Sequence, residues 1–220
     1  ELRPLGFVES VMYPGTRAFM RFDYPCALPD EARDRATSVA RRFLAAIGFD
    51  PGLFNMEFIH DAASGKLTVI EFNPRLAAQF SDLYLRVDGV DPHRVAIELA
   101  LGRDPAALPR AAPTAAVASS LVYRSFDPGW QPTMPSRVQR RAFAAVFPDG
   151  FLFSFPRRRG QIARDFKWLG SYRYGIAHLG ARDLADLMRR CREASELLGW
   201  PAPCAGAAQE SSYELAPGTA

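Results

Sequence analysis

The chain has 220 residues, 48% of them apolar and 23% charged, with a formal net charge of +3. This is the balance of a globular protein with enough apolar residues for at least one full core, and it gives nucleic acid no strongly basic surface to bind. No run approaches the ~18 consecutive apolar residues of a membrane helix, and Glu1-Leu2-Arg3-Pro4 does not resemble a signal peptide, so a cytoplasmic protein without membrane partners is expected.

Gly6 to Met12 and Ala18 to Tyr24 read as strands joined at Tyr13-Pro14-Gly15-Thr16, because Pro-Gly between β-favouring runs marks a turn. A helix follows, capped by Asp30 and stopped by Gly48, with Ala36, Val39, Ala40, Phe43, Leu44 and Ile47 at helical spacing. Leu53 to His60 and Lys66 to Asn73 read as a hairpin whose loop, Asp61 to Gly65, carries the polar and glycine residues of a turn. Asp91 as cap and Pro92 in the first turn open another helix, with Val95, Ala96, Leu99 and Ala100 on one face and Gly102 at its end.

The Ala- and Pro-rich stretch Asp104 to Thr114 is the expected boundary between subdomains. Beyond it, Ala115 to Phe126, Ala142 to Phe147 and Phe151 to Phe155 read as strands, the last two joined by Pro148-Asp149-Gly150. A closing helix is predicted from Arg182 to Leu198, with Leu184, Leu187, Met188, Cys191, Ala194 and Leu198 inward and Gly199 as its stop. The fold class is therefore α+β: an antiparallel sheet with packed helices over 1–110, a small α+β subdomain over 111–200, and a disordered tail over 201–220. Cys26, Cys191 and Cys204 are odd in number and widely spaced, which argues against a disulfide framework and a structural zinc site and for reduced thiols.

The chemistry sits on the hairpin. A three-residue loop at Ala63, Ser64 and Gly65 sets Ala62 against Lys66 and Glu57 against Glu71, and strand alternation puts Asn73 on the face of Glu71. Two carboxylates directly opposite repel by up to about 1 kcal/mol, more when partly buried. Neither strand core holds a lysine or arginine, and two carboxylates with an amide oxygen form a hard donor set suited to Mg²⁺. Arg75, behind the stiff Pro74, is placed to clamp an anion held by that metal.

The segment Gly52 to Gly102, with Glu57, the block Ile70-Glu71-Phe72-Asn73-Pro74-Arg75 and the helix end Leu99-Ala100-Leu101-Gly102, resembles the C-terminal half of the ATP-grasp fold. The likeness extends upstream through Tyr24-Pro25 to Ile47, and more weakly into the later strands, which are similar to the C-terminal domain of biotin carboxylase and carbamoyl-phosphate synthase-like ligases. It implies a ligase that binds ATP and Mg²⁺ and joins a small-molecule carboxylate to a nucleophile through an acyl-phosphate. It also implies Glu57, Glu71 and Asn73 as the metal and cofactor ligands, and Arg75 as the catalytic group that stabilises the transferred phosphoryl. Two departures stand out: Leu76-Ala77-Ala78-Gln79-Phe80 replaces the small glycine-rich residues many members carry there, and no lysine precedes Lys66 to serve the nucleotide. The chain opens at Glu1 without an initiator Met, so it is expected to be a C-terminal fragment lacking part of the ATP cleft.

The alternative is a non-catalytic remnant or interaction domain with an ATP-grasp-like fold. Trp168 to Gly175, with Tyr172, Arg173 and Tyr174, reads as an aromatic strand start belonging to the core or an interface. Arg157, Arg158 and Arg159 read as a solvated basic turn, and His60, His93 and His178 lack metal-ligand spacing.

Overall fold

The computed structural model describes residues 2–50, 52–156 and 158–204. The expected tail over 201–220 lies outside the described residues from 205 onward. Seven strands and six α-helices are formed within them: β1 (Glu9–Met12), β2 (Phe19–Tyr24), α1 (Asp30–Ile47), β3 (Asn55–His60), β4 (Leu67–Asn73), α2 (Ser81–Asp88), α3 (Pro92–Ala100), β5 (Val117–Ser125), α4 (Arg137–Val146), β6 (Phe151–Ser154), α5 (Arg159–Leu169), β7 (Tyr172–Ala181) and α6 (Leu184–Leu198). The class is α+β. A five-stranded antiparallel sheet runs in the order β1-β2-β5-β7-β6, and β3 and β4 form a separate hairpin.

The larger sheet carries helices on both faces. Leu121 and Tyr123 of β5, with Tyr172, Tyr174, Ala177 and Leu179 of β7, meet Phe143 of α4, Ile162 of α5 and Leu187, Cys191 and Leu198 of α6 in the main core. On the opposite face, Leu83 and Tyr84 of α2 pack with Tyr24 and Ala118. The stretch from Asp104 to Thr114, expected to separate two subdomains, runs between strands of one sheet: β2 precedes it and pairs with β5 beyond it, Arg21 opposite Leu121.

Local rules account for most of the elements. Gly48 ends α1 with φ of 65°, a conformation glycine adopts without steric cost. Asp91 caps α3 by accepting from the backbone N–H groups of His93 and Arg94, with Pro92 next. At α1, however, Pro29 takes the cap position and Asp30 opens the helix, where its carboxylate pairs with Arg33. Leu184, expected inward, is exposed on the first turn of α6.

The predicted strand Ala142 to Phe147 is instead the end of α4. Ser136 and Gln139 form a capping box that starts the helix, and Phe143 and Phe147, four residues apart, pack with ring centroids 5.2 Å apart. Two further helices, α2 and α5, went unread in the sequence. The second opens at Arg159, so that arginine belongs to a helix and not to a turn. Tyr172 and Tyr174 are buried in the core, while Trp168 is exposed at the end of α5.

Candidate functional site

The β3–β4 hairpin rests on α1 through four rings. Phe72 of β4 lies 4.9 Å from Phe43 of α1 and 5.6 Å from both Phe49 and Phe54. These contacts bury one face of the hairpin's base. On β4, alternation then turns Glu71 and Asn73, the neighbours of Phe72, the other way. The chain leaving β4 is tied to the larger sheet by Gln79 Nε2, which donates to Ser120 Oγ at 3.0 Å, and by Phe80 against Phe22 at 5.0 Å.

Glu57 and Glu71 stand opposite each other, and Asn55 stands opposite Asn73. The tip of the hairpin differs from the expected one: His60 pairs with Leu67 and the Asp61 N–H donates to the Lys66 carbonyl at 2.9 Å, one residue away from Ala62 against Lys66. A bulge at Ile70 absorbs the difference, with Phe58 opposite Val69 on one side of it and Glu57 opposite Glu71 on the other.

Glu57 is half-buried and Glu71 exposed. Burial first, and the charge of Glu71 second, raise the Glu57 pKa above the ordinary carboxylate value, while Arg75 works in the opposite direction. The main-chain N–H of Arg75 donates to the Asn73 carbonyl at 2.8 Å, and its guanidinium reaches Asn73 Oδ1 at 3.5 Å and the Leu76 carbonyl at 3.3 Å. The side chain is thus folded back onto Asn73 and the Leu76 carbonyl. Asn73 Nδ2 is buried and has no hydrogen-bond partner.

This set fits a hard divalent cation. A bound cation would offset the carboxylate repulsion that raises the Glu57 pKa, and its oxygen-rich shell can be completed by water or phosphate. Among the described residues no group of three or more His, Cys, Asp or Glu converges, so Glu57, Glu71 and the Asn73 amide form a two-carboxylate site at most. Glu57 also lines a broad open groove between β1–β2, α1 and β3, whereas Glu71, Asn73 and Arg75 do not line it.

One charged pair beside that groove escaped the sequence reading. Arg21 and Asp23 of β2 are buried, with Arg21 Nε donating to Asp23 Oδ2 at 2.7 Å and Ser119 Oγ donating to Asp23 Oδ1 at 2.7 Å. Arg21 Nη1 is buried without a partner. The available signal was the alternation Phe19-Met20-Arg21-Phe22-Asp23-Tyr24, in which two charges share one face of an otherwise apolar strand. His178, read as surface or structural, is buried with Nδ1 3.4 Å from Asp82 Oδ2, where it contacts the ion pair between Asp82 and Arg86.

No known protein-family profile matches the chain. Over 65 residues it is 40% identical to the carbamoyl phosphate synthase large chain of Pseudothermotoga lettingae, a stretch covering 30% of this chain and 6% of that one. Among solved structures, N5-carboxyaminoimidazole ribonucleotide synthetase from Thermus thermophilus superposes with a TM-score of 0.59 at 16% identity, covering 88% of this chain and 46% of that one. N5-carboxyaminoimidazole synthase from Aspergillus clavatus, in complex with ADP and 5-aminoimidazole ribonucleotide, gives 0.55 at 14% identity, covering 87% and 46%. Biotin carboxylase from Campylobacter jejuni, in a β,γ-ATP complex, gives 0.53 at 17% identity, covering 86% and 40%. The chain spans just under half the length of these structures, and the likeness is one of fold. Its α+β architecture of antiparallel sheet and packed helices is the fold of the matched part of these ATP-grasp enzymes.

Proposed function

We infer that the protein carrying this chain is an ATP-dependent ligase that activates a small-molecule carboxylate as an acyl-phosphate and passes the acyl group to a nucleophile. The observation that carries this reading is the placement of Glu57 against Glu71, with Asn73 on the same face, in a fold shared with enzymes whose structures hold ADP or an ATP analogue. Glu57, Glu71 and Asn73 would hold Mg²⁺, which when bound supplies charge neutralisation for the phosphates. Arg75, next to the amide of Asn73, orients and stabilises the phosphoryl group in transfer. No nucleophilic side chain is needed, because positioning and electrostatics dominate phosphoryl transfer. The nucleotide site draws on residues beyond this chain, which supplies the metal-binding end of the cleft. No helix among the described residues is long and apolar enough to cross a membrane.

Titration of Mg²⁺-ADP into the full-length protein, with Glu71→Gln as control, tests the reading. Binding that the substitution weakens supports it. Absence of binding by either protein would favour an interaction domain, a reading that exposed Ile59, Val69 and Ile70 on the hairpin also support.

A further inference from the structure

Two of the three cysteines meet behind the larger sheet. Cys191 lies in α6 and Cys204 in the segment that follows the helix, and both are buried in the main core. Cys204 Sγ sits 3.9 Å from the main-chain carbonyl of Met188. That carbonyl is one turn before Cys191, and helical side chains lean toward the N-terminus, which brings the Cys191 thiol to the same spot. Each thiol is the largest influence on the other's titration, raising the pKa of Cys191 and lowering that of Cys204. The intervening chain is well anchored: the Trp200 N–H donates to the Ser195 carbonyl at 3.0 Å, Trp200 Nε1 donates to the Thr133 carbonyl at 3.0 Å, and the ring packs on Tyr123 and Tyr174. Cys26, half-buried beyond the end of β2, takes no part.

The geometry points to Cys191 and Cys204 as a redox pair that a hydroperoxide converts into an intramolecular disulfide, clipping residues 200–204 onto α6. Cys204 is the attacking sulfur. The neighbouring Cys191 favours its thiolate, burial opposes it, and the charges of Arg192 and Arg21 add to the favourable side, holding its pKa below the ordinary thiol value. The neighbouring Cys204, with burial, pushes the Cys191 thiol up, so it remains protonated until the second step.

In the first step the Cys204 thiolate attacks the peroxide, the O–O bond breaks, and a sulfenic acid forms as the other oxygen leaves and takes up a proton. In the second, Cys191 loses its proton, its sulfur bonds to that of Cys204, and the sulfenic hydroxyl leaves as water. Two thiols are oxidised by two electrons, and the peroxide is reduced to water and an alcohol, or to two waters for hydrogen peroxide. Closing the sulfurs to the ~2.05 Å of a disulfide asks for a shift of Cys204, which lies outside any helix or strand.

The test is mild hydrogen peroxide treatment of the full-length protein, followed by denaturation, thiol counting over this chain's three cysteines, and peptide mapping. The expected result is a fall from three free thiols to one, restored by dithiothreitol, with a peptide linking Cys191 to Cys204. Cys204→Ser abolishes the two-thiol step, and Cys26→Ser keeps it. Three thiols surviving treatment, a disulfide that includes Cys26 or joins two chains, or a sulfinic acid at Cys204 with Cys191 still free would each overturn the proposal.

Discussion

Glu57 faces Glu71 across the hairpin because a one-residue bulge at Ile70 compensates a one-residue difference at the turn. The pair would be lost from a regular ladder grown from that turn, and the bulge restores it next to Asn73 and Arg75. Glu71→Gln removes one of the two charges while leaving an exposed side chain of the same shape. Turnover of the full-length protein should fall at least ~100-fold, as expected when a group stabilising charge in the transition state is removed. The melting midpoint should stay close to wild type, and steady-state kinetics alongside a thermal melt check both halves.

Glu57 ties stability to pH. Its folded-state pKa is raised, first by burial and then by Glu71, so the folded chain holds the proton more tightly than the unfolded one. The resulting stabilisation is present below the ordinary carboxylate pKa and is lost as pH rises through the raised value. Glu57→Gln should therefore be more stable than wild type near pH 7 in chelator and lose that advantage near ~pH 4. Added Mg²⁺ should close the gap at neutral pH by stabilising wild type alone. A wild type more stable than the variant in chelator at neutral pH would contradict this.

Phe72 holds the site to its helix. Phe72→Ala removes the ring that touches Phe43, Phe49 and Phe54, and it should cost about 2–3 kcal/mol, below the full cost for a completely buried phenylalanine. Hydrogen exchange should show β3, β4 and α1 losing protection while β5 and β7 keep theirs. Uniform loss across both sheets would mean that the hairpin does not open separately.

Arg86 is the buried cation of the opposite face, with Nε donating to Asp82 Oδ2 at 2.6 Å and further bonds to the Asp149 carboxylate and carbonyl. Burial alone would raise the Asp82 pKa, but His178 and Arg86 outweigh it and hold it below the usual value. That stabilisation is present above the ordinary aspartate pKa and is lost as pH falls through the depressed folded value. Arg86→Met leaves Asp82 buried with half its partners and should cost about 3–5 kcal/mol at neutral pH. Acid unfolding, followed by circular dichroism, should begin at a higher pH than in wild type.

Sequence alone determined the elements whose causes are local. Asp91-Pro92 sets the start of α3, Gly48 and Gly199 stop α1 and α6, Pro148-Asp149-Gly150 makes a turn, and alternation puts Asn73 on the face of Glu71. Tertiary structure decided what depends on partners distant in the chain. The apolar run Ala142 to Phe147 suits either a strand or a helix, and a core that takes Phe143 and Phe147 on one side selects the helix. The pairing of β2 with β5, the burial of Arg21 beside Asp23 and Ser119, and the meeting of Cys191 with Cys204 all bring together side chains that short-range patterns treat as unrelated. Backbone preferences act over a few residues, whereas burial is settled only when the sheet and its covering helices close on one another.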